Sequence, residues 1–318
     1  MAHHWGNAPT SGSTGDAVVA AIGTALTSHP AWEAVTTDTS GAYVRHVWRC
    51  LASVSGLPQD FYVVGWSWGT TEFRFWLAED FDGTSFSGAA GLSGTTDTDG
   101  KLTASVPLAN FTNSRWSASQ TTFPTFAQHL RITAGMEWQL VVHNDHMVVT
   151  SDDVYGDPRY LGAFESLLDS ADDPMPIGMF APKGFVGSEV YVSCSSSSGE
   201  TQFGAGVTTR QPLLPNQAIN TGYSYQAVNQ QGSVITPQHA TGSSYLDTEL
   251  YTGNTGVEVS PRLLYRTSRA LGQWRGKLKS VVYGGYGDFR DSLIIDGDTY
   301  YSFGSGSNVG VTYISVKA

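Results

Sequence analysis

The sequence predicts a mainly β protein with antiparallel sheets in a sandwich- or barrel-like arrangement, one short N-terminal helix and a long extended arm. Apolar residues alternate at period two over many short segments, and turn residues, among them 36 glycines, separate these segments. Only one segment has clear helical spacing. Charged residues make up 14% of the 318-residue chain. Because interface cores are poor in charge, this composition also predicts self-association.

The helix is predicted directly after a polar leader. In "DAVVAAIGTALTSHP", Val18, Ile22 and Leu26 recur every four residues. Asp16 is a candidate N-cap, and Pro30 prevents the helix from continuing. We expect this to be the longest helix of the chain.

Strand periodicity begins near Tyr43, in "YVRHVWRCLASV". Alternation predicts Arg45 and Arg49 on one face and apolar residues on the other. The predicted apolar face contains Val44, Trp48, Cys50 and Ala52. The two cysteines, Cys50 and Cys194, match no metal or redox spacing, so we interpret them as small buried hydrophobes.

Residues 138–150, "WQLVVHNDHMVVT", predict a hairpin with a two-residue turn at Asn144 and Asp145. This register pairs His143 with His146, Val142 with Met147 and Leu140 with Val149. The predicted buried face is Leu140, Val142, Met147 and Val149.

The paired histidines of this hairpin are a candidate site. Their Cβ atoms would lie about 5 Å apart on one face, so His143 and His146 could hold two corners of a metal site. Such a site needs a third ligand, and Asp152 and Asp153 are the nearest candidates in sequence. The favoured interpretation is two exposed histidines at a hairpin tip.

The remainder of the chain divides into further segments. "GDPRYLGAFESLLDS" predicts one short helix around residues 162–170, and "SEVYVSCS" predicts a strand near the end of the first β domain. Residues 204–261 are polar with sparse apolar residues, which favours an extended arm lying on other subunits. The sequence therefore predicts an N-terminal arm and helix at 1–40, a β domain at 41–203, an extended arm and loops at 204–261, and a C-terminal β segment at 262–318.

One pentapeptide has the pattern of a hydrolase nucleophile. "GWSWG", which contains Ser67, is a G-x-S-x-G sequence after an apolar strand, as in a nucleophile elbow. An elbow requires a helix next, whereas "TTEFRFWLAED" alternates at strand period. We therefore predict a hairpin that turns at residues 65–70, with Ser67 as a structural, solvent-facing hydroxyl.

Other motifs are interpreted as structural. "DTDG" at residues 97–100 and "DGDT" at 296–299 lack the further ligands of a calcium loop, and "GQWRGKL" at 272–278 departs from the phosphate-binding spacing. All three are predicted to be turns. A carboxylate pair for glycoside hydrolysis is a spatial feature that sequence cannot locate. Five tryptophans could stack on sugars, although a core role is favoured: Trp66, Trp68, Trp76, Trp116 and Trp138.

Charge and hydropathy argue against nucleic acid as a main partner of this chain and against a membrane-spanning segment. A formal net charge of −11 without a basic stripe argues against nucleic acid as the main ligand. The N-terminal sequence does not resemble a secretory signal, and no run of 18 apolar residues predicts a membrane span. We expect folding in a cytoplasm, with no catalytic, cofactor-binding or metal-binding residues.

Three stretches of the sequence resemble structural proteins of tailed-bacteriophage virions, particularly tail and baseplate components. These are "PRYLGAFESLLDSADDPMP", "RGKLKSVVYGG" and "DGDTYYSFGSG". The resemblance implies a non-enzymatic virion subunit, assembled in the host cytoplasm, that forms a ring or trimer and contacts other virion proteins or a host-surface glycan. The alternative is a glycan-binding protein or glycosidase of β-sandwich type.

Overall fold

A computed structural model describes a little over half of the chain. The described residues are 1–12, 14–41, 43–68, 71–89, 105–111, 128–152, 158–166, 175–182, 190–191, 224–227, 262–267, 270–277, 279–283, 290–295, 297–303 and 314–318. They form antiparallel sheets with one helix of 14 residues, so the predicted mainly β class is confirmed. The predicted arm at 204–261 lies outside the described residues except for 224–227.

The N-terminal half contains nine strands and three short or medium helices in its described part. In chain order these are β1 (Ala2–Asn7), α1 (Thr14–Thr27), β2 (Trp32–Asp38), β3 (Arg45–Cys50), α2 (Ala52–Ser55), β4 (Phe61–Trp68), β5 (Glu72–Phe81), β6 (Ser85–Ala89), β7 (Val106–Pro107), a 3₁₀ helix (Leu108–Asn110), β8 (Gln128–Arg131) and β9 (Glu137–Val142).

The remaining elements of the described chain are all strands. They are β10 (His146–Ser151), β11 (Arg159–Ala163), β12 (Glu165–Ser166), β13 (Ile177–Pro182), β14 (Val190–Tyr191), β15 (Ser224–Ala227), β16 (Arg262–Thr267), β17 (Ala270–Lys277), β18 (Val281–Tyr283), β19 (Ser292–Ile295), β20 (Asp298–Phe303) and β21 (Ile314–Lys317).

These strands form four sheets. The outer sheet has the order β2-β3-β4-β5-β6-β7, and β8 also pairs with β5. The central sheet has the order β1-β9-β10-β11-β13-β14, and the C-terminal sheet the order β18-β21-β20-β19. A small sheet, β12-β17-β16-β15, contains strands from both halves of the chain.

The main core lies between the outer sheet, helix α1 and one face of the central sheet. Val18, Ile22 and Leu26 are at most 1% exposed, which confirms the predicted helical face. The helix begins at Thr14, so Asp16 lies in its first turn and the predicted N-cap position is wrong. A carboxylate there still interacts favourably with the helix dipole.

The second face of the outer sheet carries an aromatic cluster. Trp66 and Trp76 each contact Phe111 edge-on, with ring centroids 5.0 and 5.1 Å apart. Arg45 is 3% exposed on this face, where it binds Asp38 at 2.8 Å and donates to the Phe111 carbonyl. Trp48 and Cys50 are buried on the opposite face as predicted. Ala52 lies in α2 rather than in a strand.

The C-terminal sheet covers the other face of the central sheet. Gln139 donates to the Ser302 carbonyl at 3.2 Å, and the ring of His3 stacks on Tyr301 with 3.6 Å between centroids. Arg290 binds Glu137 at 2.8 Å. The central sheet is therefore the middle layer of three, which explains why strand β10 is buried along its whole length.

Two elements differ from the sequence-based expectation. Gly162 and Ala163 belong to β11, and Glu165 and Ser166 form β12, so the helix predicted there is wrong over residues 162–166. Pairing with β10, β13 and β17 keeps the chain extended. The polar leader contains strand β1, which pairs with β9 over six residues. The proposed domain boundaries stay predictions.

Candidate functional site

The hairpin of β9 and β10 forms with the predicted register. Met147 pairs with Val142, Val149 pairs with Leu140, and the His143 amide donates to the His146 carbonyl at 2.9 Å. The four residues of the predicted buried face, Leu140, Val142, Met147 and Val149, are all fully buried. This prediction is therefore confirmed residue by residue.

The two histidines of the hairpin are buried, so the prediction that they are exposed is wrong. His143 is 7% exposed and His146 is 1% exposed. Their rings stack at 4.2 Å between centroids with an interplanar angle of 11°, and the ring of Tyr160 also stacks on His146, at 4.8 Å between centroids. The C-terminal sheet covers this face, and no local signal in residues 138–150 reveals that cover.

Asp145 connects the histidines to the C-terminal sheet. His146 Nδ1 lies 2.6 Å from Asp145 Oδ1, and Lys279 Nζ donates to Asp145 Oδ2. A carboxylate only accepts, so Nδ1 of His146 carries the proton. Nε2 of His146 is buried and has no hydrogen-bond partner among the residues that the structure describes. We call His143, Asp145, His146, Tyr160 and Lys279 the hairpin-tip cluster.

The hairpin tip binds both neighbouring layers. His143 Nε2 donates to the Lys317 carbonyl at 2.9 Å, on the side of the C-terminal sheet. On the opposite side, Trp32 Nε1 donates to the His143 carbonyl at 2.8 Å, and Cys50 Sγ lies 3.3 Å from the Asn144 carbonyl. Side chains of the hairpin tip therefore bond to the C-terminal sheet, while its backbone carbonyls bond to the outer sheet.

Gly162 permits the close packing around this tip. Its φ is +126°, and a Cβ placed there would lie 2.5 Å from the Asp145 carbonyl oxygen. The next residue, Ala163, donates its amide to the same carbonyl at 2.8 Å. A side chain at position 162 would therefore separate β11 from the turn.

Burial sets the ionisation of the hairpin-tip cluster. Desolvation, followed by the neighbouring His146, lowers the pKa of His143 to about 3. Desolvation also lowers the pKa of His146, although its hydrogen bond to Asp145 opposes the shift. Burial alone would raise the pKa of Asp145, but hydrogen bonds from His146 and Lys279 outweigh it and lower the pKa to about 2. At neutral pH both imidazoles are neutral and the carboxylate is charged.

The geometry does not support the metal hypothesis for this pair. A metal binds an imidazole nitrogen in the plane of the ring, and two nearly parallel rings do not direct their lone pairs to one point. Asp152 lies at the other end of the hairpin, where its amide donates to Glu137, and Asp153 lies outside the described residues. Within the described ranges, no group of three or more His, Cys, Asp or Glu could hold a metal ion.

Ser67 lies in strand β4, opposite Phe73 of β5. The segment is a hairpin as predicted, but the strand continues to Trp68, so the turn begins later than expected. Ser67 is 2% exposed and its hydroxyl donates to Asp16 of α1, so the predicted solvent-facing position is wrong. A nucleophile elbow requires a helix after the serine, and strand β5 occupies that place.

Three of the five tryptophans considered for sugar binding belong to the core. Trp66, Trp76 and Trp138 are 1%, 0% and 5% exposed, which confirms the favoured interpretation for these three. Trp68 lies in β4, and Trp116 lies outside the described residues. The buried three have no ring face available for a glycan.

The other motifs occupy ordinary structural positions where the structure describes them. Asp298 of "DGDT" forms an ion pair with Lys317, and Gly297 adopts the positive φ of a hairpin turn. "GQWRGKL" lies largely in strand β17, so the predicted turn there is wrong. Cys50 is buried as predicted, and burial raises the pKa of its thiol. "DTDG" and Cys194 lie outside the described residues.

Exposed apolar side chains occur at the edges of two sheets. Trp5 of β1 is 53% exposed, and the Arg290 guanidinium lies 4.2 Å from the centroid of its ring. Ile294 of β19 is 75% exposed. Both strands are terminal in their sheets, so these side chains lie beside backbone groups that another strand could pair with.

Comparison with known proteins gives no assignment: no protein-family model matches the chain, and no curated protein matches it significantly. No helix in the described part of the chain combines the length and apolar character needed to cross a bilayer.

Proposed function

We propose that this protein is a structural subunit of a tailed-bacteriophage virion, in the tail, tail tip or baseplate, that acts by assembling with copies of itself and with other virion proteins. Low charge content, a polar segment at 204–261 and the resemblance of three sequence stretches to such proteins support this function. An acidic chain without a basic stripe fits protein partners better than nucleic acid.

The observation that carries the proposal is the attachment of the chain on both sides of its polar segment. Strand β13 pairs with β11 in the central sheet, and Lys279 binds Asp145 at the hairpin tip of that same sheet. Residues 204–261 therefore lie between two points fixed on one layered body, and β15 within them pairs with β16 of the same chain. An arm with both ends fixed can extend over a neighbouring subunit without detaching from its own.

The exposed sheet edges supply further contact surface. Trp5 and Ile294 lie on terminal strands of two different sheets. Apolar side chains beside unpaired strand edges are typical of surfaces that associate with another chain.

Purified phage particles from a host that carries this gene test the proposal. We expect mass spectrometry to detect the protein in stoichiometric amounts, and antibody labelling in electron micrographs to place it at the tail or its tip. Its absence from particles, together with specific binding of a glycan or hydrolysis of a glycoside by the purified chain, would contradict the proposal and favour the glycan-binding alternative.

A further inference from the structure

Strand β1 has a free backbone edge in the described structure. The Ala8 amide donates to the Met136 carbonyl, so even-numbered residues of this strand bond to β9. The alternation of an antiparallel ladder then directs the backbone groups of His3, Trp5 and Asn7 away from β9. No described strand pairs with this outer side, because β1 is terminal in the central sheet.

This edge lacks the features that usually prevent strand addition. Its six residues, "AHHWGN", include no Lys, Glu, Asp or Pro, and its register with β9 is continuous. The terminal strand of the outer sheet, β2, differs: it carries Glu33 and Asp38, and its register shifts between Ala34 and Thr36. Charges and bulges protect an edge from pairing, so the sequence protects β2 and leaves β1 open.

We propose that β1 pairs antiparallel with β1 of a second copy, about a two-fold axis that passes beside Trp5. The outward-facing residues are odd-numbered, so a symmetric ladder can place Trp5 opposite its own copy and His3 opposite Asn7 of the partner copy. This inference rests on the proposed function and names one contact within it. A two-fold contact closes a pair, so it joins two subunits or two rings and adds to the contacts within a ring.

Side-chain chemistry favours a second copy as the occupant. The strand is uncharged and the adjacent Arg290 is ion-paired with Glu137, so two copies can pair there with little like-charge repulsion although each chain has a formal net charge of −11. The register brings two half-exposed Trp5 side chains together on one face, and cross-strand aromatic pairs stabilise antiparallel ladders. Arg290, which stacks on Trp5 and binds Glu137, holds each indole in place.

A cysteine cross-link tests the register. Opposed residues in a hydrogen-bonded antiparallel pair have Cα atoms about 5.5 Å apart, which a disulfide spans. We expect Trp5→Cys to form a covalent dimer under mild oxidation at micromolar protein. Asn7→Cys, exposed on the same strand and the same side, is the matched control and should stay monomeric on a denaturing gel, as should the wild-type chain. Equal cross-linking of both variants, or none in either, would overturn the register.

A proline variant tests the edge itself. Trp5→Pro removes an outward N–H while leaving the β9 ladder intact, and Trp5→Ala removes the side chain but keeps the N–H. Circular dichroism checks that each variant is folded, and sedimentation measures the dissociation constant of the dimer. We expect Trp5→Pro to raise this constant at least tenfold more than Trp5→Ala does. Equal association of the two variants would overturn the proposal. If the wild-type protein assembles and every β1 variant assembles equally well, the β1 contact is wrong but the proposed function stands. A wild-type chain that never associates would contradict both the β1 contact and the proposed function.

Discussion

Acidification should weaken the attachment of the C-terminal sheet to the hairpin tip, because His143 must remain neutral to occupy its buried place. Its neighbours are His146, Asp145, the N-terminal amine and the Lys317 carbonyl. Burial removes water from the charged form of His143, which is the main reason that its pKa is lowered, and the neighbouring His146 opposes the charge further. Protonation is therefore far more favourable in the unfolded chain.

The magnitude follows from the pKa of His143, which is about 3 in the folded state against an ordinary value of 6.5. A histidine whose folded pKa is lowered contributes its full stability above the unfolded pKa and loses it as the pH falls from about 6.5 towards 3. At pH 5 the loss relative to pH 8 is about 2 kcal/mol of unfolding free energy. Asp145 contributes little to this change, since its pKa of about 2 keeps it ionised at pH 5.

Urea unfolding of wild type and His143→Gln at pH 8 and pH 5 measures this contribution. Glutamine keeps an N–H donor for the Lys317 carbonyl but does not titrate, and the comparison cancels the effects of the other histidines. We expect the wild type to lose about 2 kcal/mol more than the variant on acidification. The same pH dependence in both proteins would refute the role assigned to His143.

Three further predictions concern stability and use urea unfolding at neutral pH. Asp145→Ala should lower the unfolding free energy by about 2 to 3 kcal/mol, because it leaves Lys279 and the buried His146 without a partner. The control Asp298→Ala, which removes a 45% exposed carboxylate, should lower it by less than about 1 kcal/mol. Equal losses of unfolding free energy in the two variants would contradict the stabilising role of the hairpin-tip cluster. Ser67→Ala should cost about 1 to 2 kcal/mol by removing a buried hydrogen bond, and a change within error would count against that bond. Gly162→Ala should lower the unfolding free energy by about 3 kcal/mol or more, because the residue has a positive φ and the new Cβ would clash with backbone. The control Gly83→Ala, where φ is also positive but no atom lies near the new Cβ, should lower it by about 1 kcal/mol. Equal losses in the two variants would refute the clash at position 162.

Local patterns were sufficient for the elements whose structure depends on near neighbours. The hairpin around Asn144 and Asp145 was predicted to the register, because a two-residue turn fixes pairing and alternate apolar residues fix the buried face. Helix α1 was predicted because Val18, Ile22 and Leu26 form one face. Both signals lie within about fifteen consecutive residues.

Sequence reasoning failed where a distant segment covers a polar face. His143 is buried by strand β21, more than 170 residues further along the chain. Arg45 is buried by Phe111, 66 residues away. Residues 162–166 have a helical pattern that long-range strand pairing overrides. No local periodicity encodes these contacts, so the hairpin-tip cluster could be proposed as a histidine pair but not as a buried link between layers.

Sedimentation of the purified chain over a wide range of protein and salt concentrations tests the central claim most directly. Obligate interfaces commonly bury about 2,000 Å² or more, and this chain has few charges for salt to screen. We therefore expect a closed oligomer of defined mass whose formation depends on protein concentration and only weakly on salt. A monomer that persists at the highest protein concentration would contradict the account of this protein as an assembling virion subunit.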